Sequence, residues 1–581
     1  MPFLPPKWVP ECPEVPDTLS IPEFMFNEEH GRAPYSKSKD SYVCGITGRK
    51  ISAQQQKEEY TYITRALAKE LGWKVNDGTE YDKVCGVFAL NTIDVMTLNW
   101  AIHRLNGISS PANAAYSADE LRYQLVNAEA KALFTVLPLL DVALTGAKKA
   151  GLDRSKVYLL PMPGDDESKY PKDIKTFGQL LEAGKKLPEV EPLKWEKGQG
   201  ARQTAFLCYS SGTSGLPKGV MISHRNVIAN TLQIKAYDSK HRAQQGEDYH
   251  EAALGLLPQS HIYGLIVICH CSTYLGDSVI VLPKFEINSY LNSIQKYKIN
   301  TLYIVPPIII NMVKQKDLCA KYDLSSVKAI FTGAAPLGAE TAEDLSKQYP
   351  AWRIRQGYGL TETCTVVSSS APNDIWFGSS GSLVPGFKAK VMTIEGNEIT
   401  GYDQPGELLV SSPSITLGYL KNEKATKETF VDLEDGRYMR TGDEVVFKKA
   451  PSGNEHIFIV DRIKELIKVK GLQVAPAELE SALLSHPAVA DCAVIPVPDD
   501  RSGELPKAYV VKSNTVGLEE SDVMVKRDIQ KYIEKEKSRH KWLKGGVEFI
   551  DVIPKSPSGK ILRRLLRDKD KAERQKKGAK L

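Results

Sequence analysis

Ser210-Ser211-Gly212-Thr213-Ser214-Gly215-Leu216-Pro217-Lys218-Gly219 decides the reading of this chain. It follows the apolar run QTAFLCYSS (203–211), which reads as a buried strand. Its glycines let backbone N–H groups approach a polyphosphate with no Cβ in the way. The hydroxyls of Ser210, Ser211, Thr213 and Ser214 add donors, and Lys218 adds a positive charge. A mere polar turn has no need of these features in combination. The segment is not a Walker A loop, because Gly219 rather than Ser or Thr follows Lys218. It is not a nucleophile elbow either, since no G-x-S-x-G occurs there.

Working outward, further strand-like runs flank the loop: VCGVFAL (84–90), KALFTV (131–136), SVIVL (278–282), TLYIVP (301–306) and VKAIFTG (327–333). YTYITRALAKEL (60–71) and residues 91–105 read as helices. Strands alternating with helices predict an α/β fold with a largely parallel sheet. The first 50 residues, rich in Pro and polar groups, read as an irregular arm, and residues 237–249 as a polar insertion. Beyond about residue 380 the strand-like runs shorten, as in GELLVSS (406–412) and EHIFIVDR (455–462), which predicts a β-rich subdomain. A boundary is expected within 461–464. It divides a large N-terminal body, 1–463, from a small, mobile α+β domain, 464–581. There APAELESALLSH (475–486) reads as a helix opened by Pro476 and VADCAVIPV (489–497) as a strand. From Lys560 onward the chain is strongly basic and reads as a solvated, helical or frayed end.

The whole chain sets bounds on these readings. Its 581 residues exceed a single core. Its 76 basic and 71 acidic residues leave a net charge of +5, too even for a nucleic-acid-binding body. No apolar run is long enough for a transmembrane helix, and the Pro-rich start lacks the layout of a secretory signal. Nine cysteines without a C-x-x-C pair fit a reduced compartment. Cys269-His270-Cys271 lies in the apolar run LIVICHCSTYL and reads as buried structure rather than a metal cluster. The final tripeptide Ala579-Lys580-Leu581 is a close variant of the Ser-Lys-Leu peroxisomal address, so a peroxisomal import receptor is an expected partner.

The phosphate loop resembles that of the acyl-adenylate-forming superfamily: acyl-CoA synthetases, 4-coumarate–CoA ligases, firefly luciferase and peptide-synthetase adenylation domains. The resemblance runs from about residue 60 to Lys560 and is nearest to the 4-coumarate–CoA ligase-like enzymes. It implies an ATP-dependent acid–CoA ligase using Mg²⁺. A carboxylate and ATP would give acyl-AMP and pyrophosphate, and coenzyme A would then take the acyl group.

The resemblance also implies roles, residue by residue. In Gln356-Gly357-Tyr358-Gly359-Leu360-Thr361-Glu362, Tyr358 would stack on adenine and Thr361 would contact the α-phosphate. Glu362, with Thr213, would hold Mg²⁺, which prefers hard oxygen ligands. Gly333-Ala334-Ala335-Pro336 would lie along the adenine and the acyl pocket. Asp443 would bind both ribose hydroxyls, as a carboxylate can, and Arg462 would also contact the ribose. Lys464 would be the hinge, with Lys468 and Gln473 serving the active site. Lys560, in PKSPSGK (554–560), would be the adenylation lysine that neutralises charge at the α-phosphate. His261 would gate the thiol tunnel. Ile262, Tyr263, Ala334, Gly357, Cys364 and Val366 would line an acyl pocket suited to an aryl or medium-chain acid. No acidic residue occurs within 252–276, which disfavours amino acids as substrates. Ser411-Ser412 replaces the Arg-Gly pair usual in 4-coumarate ligases. A luciferase-like oxygenase, a stand-alone enzyme loading a carrier protein and a catalytically inert scaffold remain open.

Overall fold

Ser52 and Gln55 form a capping box that starts the helix Ala53–Leu71, and Gly72, at φ +68°, ends it. Apolar periodicity alone expects this helix at 60–71; the cap carries its start back to Ala53. The same logic trims the next helix. It spans Val95–Arg104 rather than 91–105, because the Asn91 side chain donates to the carbonyls of Leu256, Leu257 and Leu282. The computed structural model describes residues 2–210, 216–470, 472–513, 521–556 and 559–578.

Three sheets build the large body. Seven strands run in the order Gly418–Tyr419, Lys218–Ser223, Thr204–Ser210, Ile108–Ala112, Val84–Phe88, Ala132–Val136, Val157–Leu160. Nine run in the order Ser382–Leu383, Thr365–Ser369, Arg353–Leu360, Ala329–Thr332, Thr301–Ile304, Ala252–Gly255, Ser278–Val281, Tyr42–Cys44, Lys50–Ile51. The interiors of both sheets are parallel, and antiparallel pairs occur toward their edges. Interior parallel strands are covered on both faces, which is why they read as unbroken apolar runs. A third, antiparallel sheet holds Gly406–Ser411, Gly436–Lys449 and Glu455–Arg462 among its strands.

The small domain has a five-stranded sheet with the helices Pro476–Leu484 and Asp522–Glu536. Its core includes Ile467, Leu479, Val494, Val510, Ile529 and Ile533, distinct from the large cluster of the body. The mixed α/β body with a small α+β domain agrees with the expected fold class.

Three expectations need correction or refinement, and a fourth, the burial of Cys269-His270-Cys271, agrees with the structure. The first 50 residues are not merely an arm: Tyr42–Cys44 and Lys50–Ile51 extend the nine-stranded sheet, and Phe3 bridges to Ala389. Residues 237–244 belong to the long helix His224–Gln244, where Tyr237 is buried, so no simple polar insertion exists. The chain end is not a solvated tail. Within the helix Arg563–Gly578, buried Arg563 pairs with Glu465 and Glu480, and buried Asp570 pairs with Lys507. Cys269-His270-Cys271 lies where the helical turns Tyr263–His270 and Cys271–Leu275 meet. All three side chains are buried, and no metal-binding cluster is found among the described residues. Among those residues, no helix is long and apolar enough to cross a membrane.

The small domain is docked on the body. Lys314 donates to the carbonyls of Val489 and Ala490 at 2.9 and 2.8 Å, and Ser485 hydrogen-bonds Glu340. A Cβ placed on Gly559 would stand 3.1 Å from Val305, so the Lys560 loop lies against the body.

Candidate active site

Ser210 and Lys218 are the last cross-strand pair of the hairpin whose connection is the glycine-rich loop. The expected phosphate-binding residues Ser211, Gly212, Thr213, Ser214 and Gly215 lie outside the described residues. What the described part provides is a carboxylate: buried Glu362 accepts from the Ser210 hydroxyl at 3.2 Å and the Tyr419 hydroxyl at 2.9 Å. Lys218 Nζ stands 4.3 Å from the centroid of the Tyr419 ring. Tyr419 therefore ties the phosphate hairpin to the Glu362 turn. Sequence reasoning missed it, because a Gly-Tyr pair in a short edge strand carries no signal of its own.

The residues expected to hold the nucleoside come from three strands. Tyr358, on Arg353–Leu360, donates to Asp443 Oδ2 at 2.6 Å. Asp443 and Arg462 are register partners on adjacent strands, with Arg462 Nε 3.4 Å from Asp443 Oδ1. Burial raises the Asp443 carboxyl above its ordinary range, while Arg462 and the Tyr358 hydroxyl oppose that rise. Ala334, at φ +68°, and Pro336 are exposed, and Ala335 is half-buried. Gln356 accepts from the Leu337 N–H and donates to Ser380, so its side chain braces this loop. Gly359 must be glycine: a Cβ there would meet the Thr365 carbonyl oxygen at 1.6 Å. Thr361 opens the turn that carries Glu362.

Lys560 reaches the same cleft from the small domain. Burial, and then the Arg462 guanidinium, lower its ammonium to about 8, against the pull of Glu465, Asp443 and Glu362. His261 senses the same charge. Burial, and then Lys560, lower its imidazole to about 4, so it is neutral near pH 7. Its Nδ1 accepts from the Tyr263 N–H at 3.3 Å. Residues 557 and 558 of the lysine loop are outside the described set.

Of the expected acyl-pocket residues, Ile262, Tyr263 and Val366 are buried side chains, and Tyr263 is held by a 2.7 Å bond to the Phe331 carbonyl. Gly357 leaves room for the Phe331 ring, which a Cβ would meet at 2.4 Å. Cys364 is fully buried at φ +52°. Ser412, in the Ser411-Ser412 departure, accepts from Gln233 and from the Ser414 N–H.

Lys468 and Gln473 are not brought to this cleft. They are exposed register partners on the hairpin Ile467–Val469 and Leu472–Val474. Lys464, the expected pivot, is exposed in the turn after Glu455–Arg462. Ala579, Lys580 and Leu581 lie outside the described residues.

Residues 33–420, more than half of the chain, match the AMP-binding enzyme family, and residues 478–560 match the AMP-binding enzyme C-terminal domain. The acyl-CoA ligase easD of Emericella nidulans is 39% identical across 98% of this chain and 100% of its own. The acyl-CoA ligase AFT1-1 of Alternaria alternata is 40% identical across 98% and 97%. The crystal structure of the anthranilate CoA ligase AuaEII with anthranoyl-AMP superimposes with a TM-score of 0.78. It covers 95% of this chain and 98% of that one, and its 22% identity speaks for the fold alone. With similarity running over 98% of the chain and a lysine from the small domain near Asp443 and Glu362 of the body, this chain belongs to the AMP-binding enzyme family and is an AMP-forming acyl-CoA ligase.

Proposed function

We propose that the enzyme activates an aryl or medium-chain carboxylic acid, using Mg²⁺ with ATP, and that it works in the peroxisome. The observation that carries the adenylation step is Lys560, drawn into one cleft with Glu362, Asp443 and Arg462. A carboxylate cannot acylate a thiol directly, because its leaving group would be oxide. Attack on the α-phosphate exchanges that group for AMP. Lys560 would hold the negative charge building between carboxylate and phosphate, in a cleft where low dielectric strengthens the effect. Tyr358 and Asp443 would fix adenine and ribose, so that the α-phosphate meets the acid in line.

The donor set fits magnesium. Glu362 is a single hard carboxylate beside a serine hydroxyl, and Mg²⁺ takes one or two carboxylates with phosphates and water. The ion would supply charge neutralisation on the phosphates, with Glu362 and Thr213 as protein ligands. Support for the acid class comes from the buried Ile262, Tyr263 and Val366 and from the lack of an acidic residue within 252–276. The support for localisation is the terminal Ala579-Lys580-Leu581. Pyrophosphate and acyl-CoA formation across a panel of aryl, medium-chain and amino acids tests the substrate reading. Turnover confined to amino acids would contradict it. A reporter fused ahead of the terminal tripeptide should leave the peroxisome when residues 579–581 are deleted.

A further inference from the structure

A cavity lies on one face of the nine-stranded sheet, and Val366 of the expected acyl pocket lines it. Strand register explains its walls. Tyr303, Phe331 and Arg355 form one row across three neighbouring strands, and Thr301, Ala329 and Arg353 form the row below. Alternation puts both rows on the same face, and all six residues line the cavity. One step up, the same face carries Gly333 and Gly357 at the acyl pocket. The opposite wall is the helix His224–Gln244, whose Ile234, Tyr237, Asp238 and His241 share one helical face. The enclosed room is about 40 Å³, and about 720 Å³ is reached only when the space open to solvent is counted.

The junction with the acyl pocket is the Phe331 ring. It touches the position of a Gly357 Cβ, and its centroid lies 6.1 Å from that of Tyr263 and 6.0 Å from that of Tyr303. Beyond it the wall becomes polar. Arg355 donates to Asp238 at 2.7 Å, to the Ser370 carbonyl at 2.8 Å and to Ser369 at 3.3 Å, with its guanidinium 5.5 Å from the Phe331 ring centroid. At the mouth, Arg353 donates to His241 and Lys328 lies over Tyr249; neither pairs with a carboxylate among the described residues. Folding does not require such a wall, since a buried ion pair is commonly no better than well-packed apolar groups. An unsubstituted alkyl chain would be a poor occupant, because it would strip water from these groups and return no hydrogen bond.

We infer that this cavity receives the far end of the substrate acid, and that this end carries an oxygen function, a hydroxyl or a second carboxylate, which Arg355 and the cations at the mouth recognise. The inference rests on the acid–CoA ligase reading and narrows its medium-chain alternative. Strand rise of about 3.3 Å per residue puts Arg355 about 7 Å and Arg353 about 13 Å beyond Gly357, the reach of a medium-length chain.

The test compares acyl-CoA formation from benzoic, decanoic, ω-hydroxydecanoic and decanedioic acids. The expected result is a kcat/KM at least about tenfold higher for one or both oxygen-ended acids than for decanoic acid. A lead for the diacid assigns the recognition to charge, and a lead for the hydroxy acid to hydrogen bonding. In the double variant Arg355→Met, Asp238→Leu, which leaves no unpaired buried charge, the ratio of oxygen-ended to plain acid should fall toward one. Decanoic acid turned over as well as or better than both partners would overturn the inference while leaving the ligase reading intact. An unchanged ratio in the double variant would also overturn it. Failure of all four acids, benzoic acid included, would instead count against the reading beneath it, and the inference would fall with it.

Discussion

Lys560 brings an ammonium into a cleft where burial has already weakened its hold on the proton. In the proposed role, only the protonated form neutralises the adenylation transition state. Because its value is lowered to about 8, the active form dominates below that pH and is lost above it. The acid-dependent kcat/KM for pyrophosphate release should therefore decline above about pH 8, and Lys560→Arg should move that limb upward. Lys560→Ala should slow pyrophosphate release by about 10²–10³-fold, as for other preorganised charges. It should leave thioester formation from a supplied acyl-adenylate far less affected. Asp443 makes a second prediction. Asp443→Ala removes the partner of both Tyr358 and Arg462 and should raise the KM for ATP more than tenfold. Tyr358→Phe, which loses one hydrogen bond but keeps the ring, should cost only about 1 kcal/mol in ATP binding, read by titration calorimetry.

The helix Arg563–Gly578 begins three residues after Lys560 and anchors the lysine loop through Arg563. That guanidinium reaches Glu465, just past the expected hinge, at 2.8 Å, and Glu480 at 2.6 Å. Arg563→Met should strand two buried carboxylates and destabilise the small domain by about 3–5 kcal/mol, measured by hydrogen exchange in its core strands. Adding Glu480→Gln should recover part of the loss. The basic composition after Lys560 gave no hint of this clasp, because Arg563, Glu465 and Glu480 meet only in three dimensions. Interior strands were legible for the opposite reason: Ala132–Val136, Thr204–Ser210, Ser278–Val281 and Ala329–Thr332 each carry their burial in a local apolar run. Tyr42–Cys44 is short and pairs with a strand more than 200 residues away, so nothing local marks it. The site divides in the same way. Motifs named Tyr358, Asp443, Glu362 and Lys560, but the Tyr358–Asp443 bond, the Tyr419 tie and the Arg355–Asp238 pair join distant segments and required the fold.

The whole molecule is held in one arrangement of its two parts, with the Lys560 loop against the body and Lys468 and Gln473 turned to solvent. In the proposed mechanism Lys560 would stand where the thiol must enter, so this arrangement would suit adenylation and not thioester formation. The second step would then need the small domain to turn about the segment containing Lys464, and such hinge motions rest on a few terminal residues of an element. Gly338 and Ser481 offer a way to stop that turn. A Cβ built on Gly338 stands 3.4 Å from Ser481 Cβ, close to the spacing of a disulfide. Gly338 has φ −59°, a backbone conformation open to any residue, and eight of the nine cysteines are buried. The decisive measurement compares pyrophosphate release and acyl-CoA formation in the Gly338→Cys, Ser481→Cys double variant, oxidised and then reduced. The account predicts that the oxidised enzyme makes acyl-adenylate with a normal first burst of pyrophosphate, forms almost no acyl-CoA, and recovers thioester formation on reduction. Full acyl-CoA turnover by the cross-linked enzyme would contradict it.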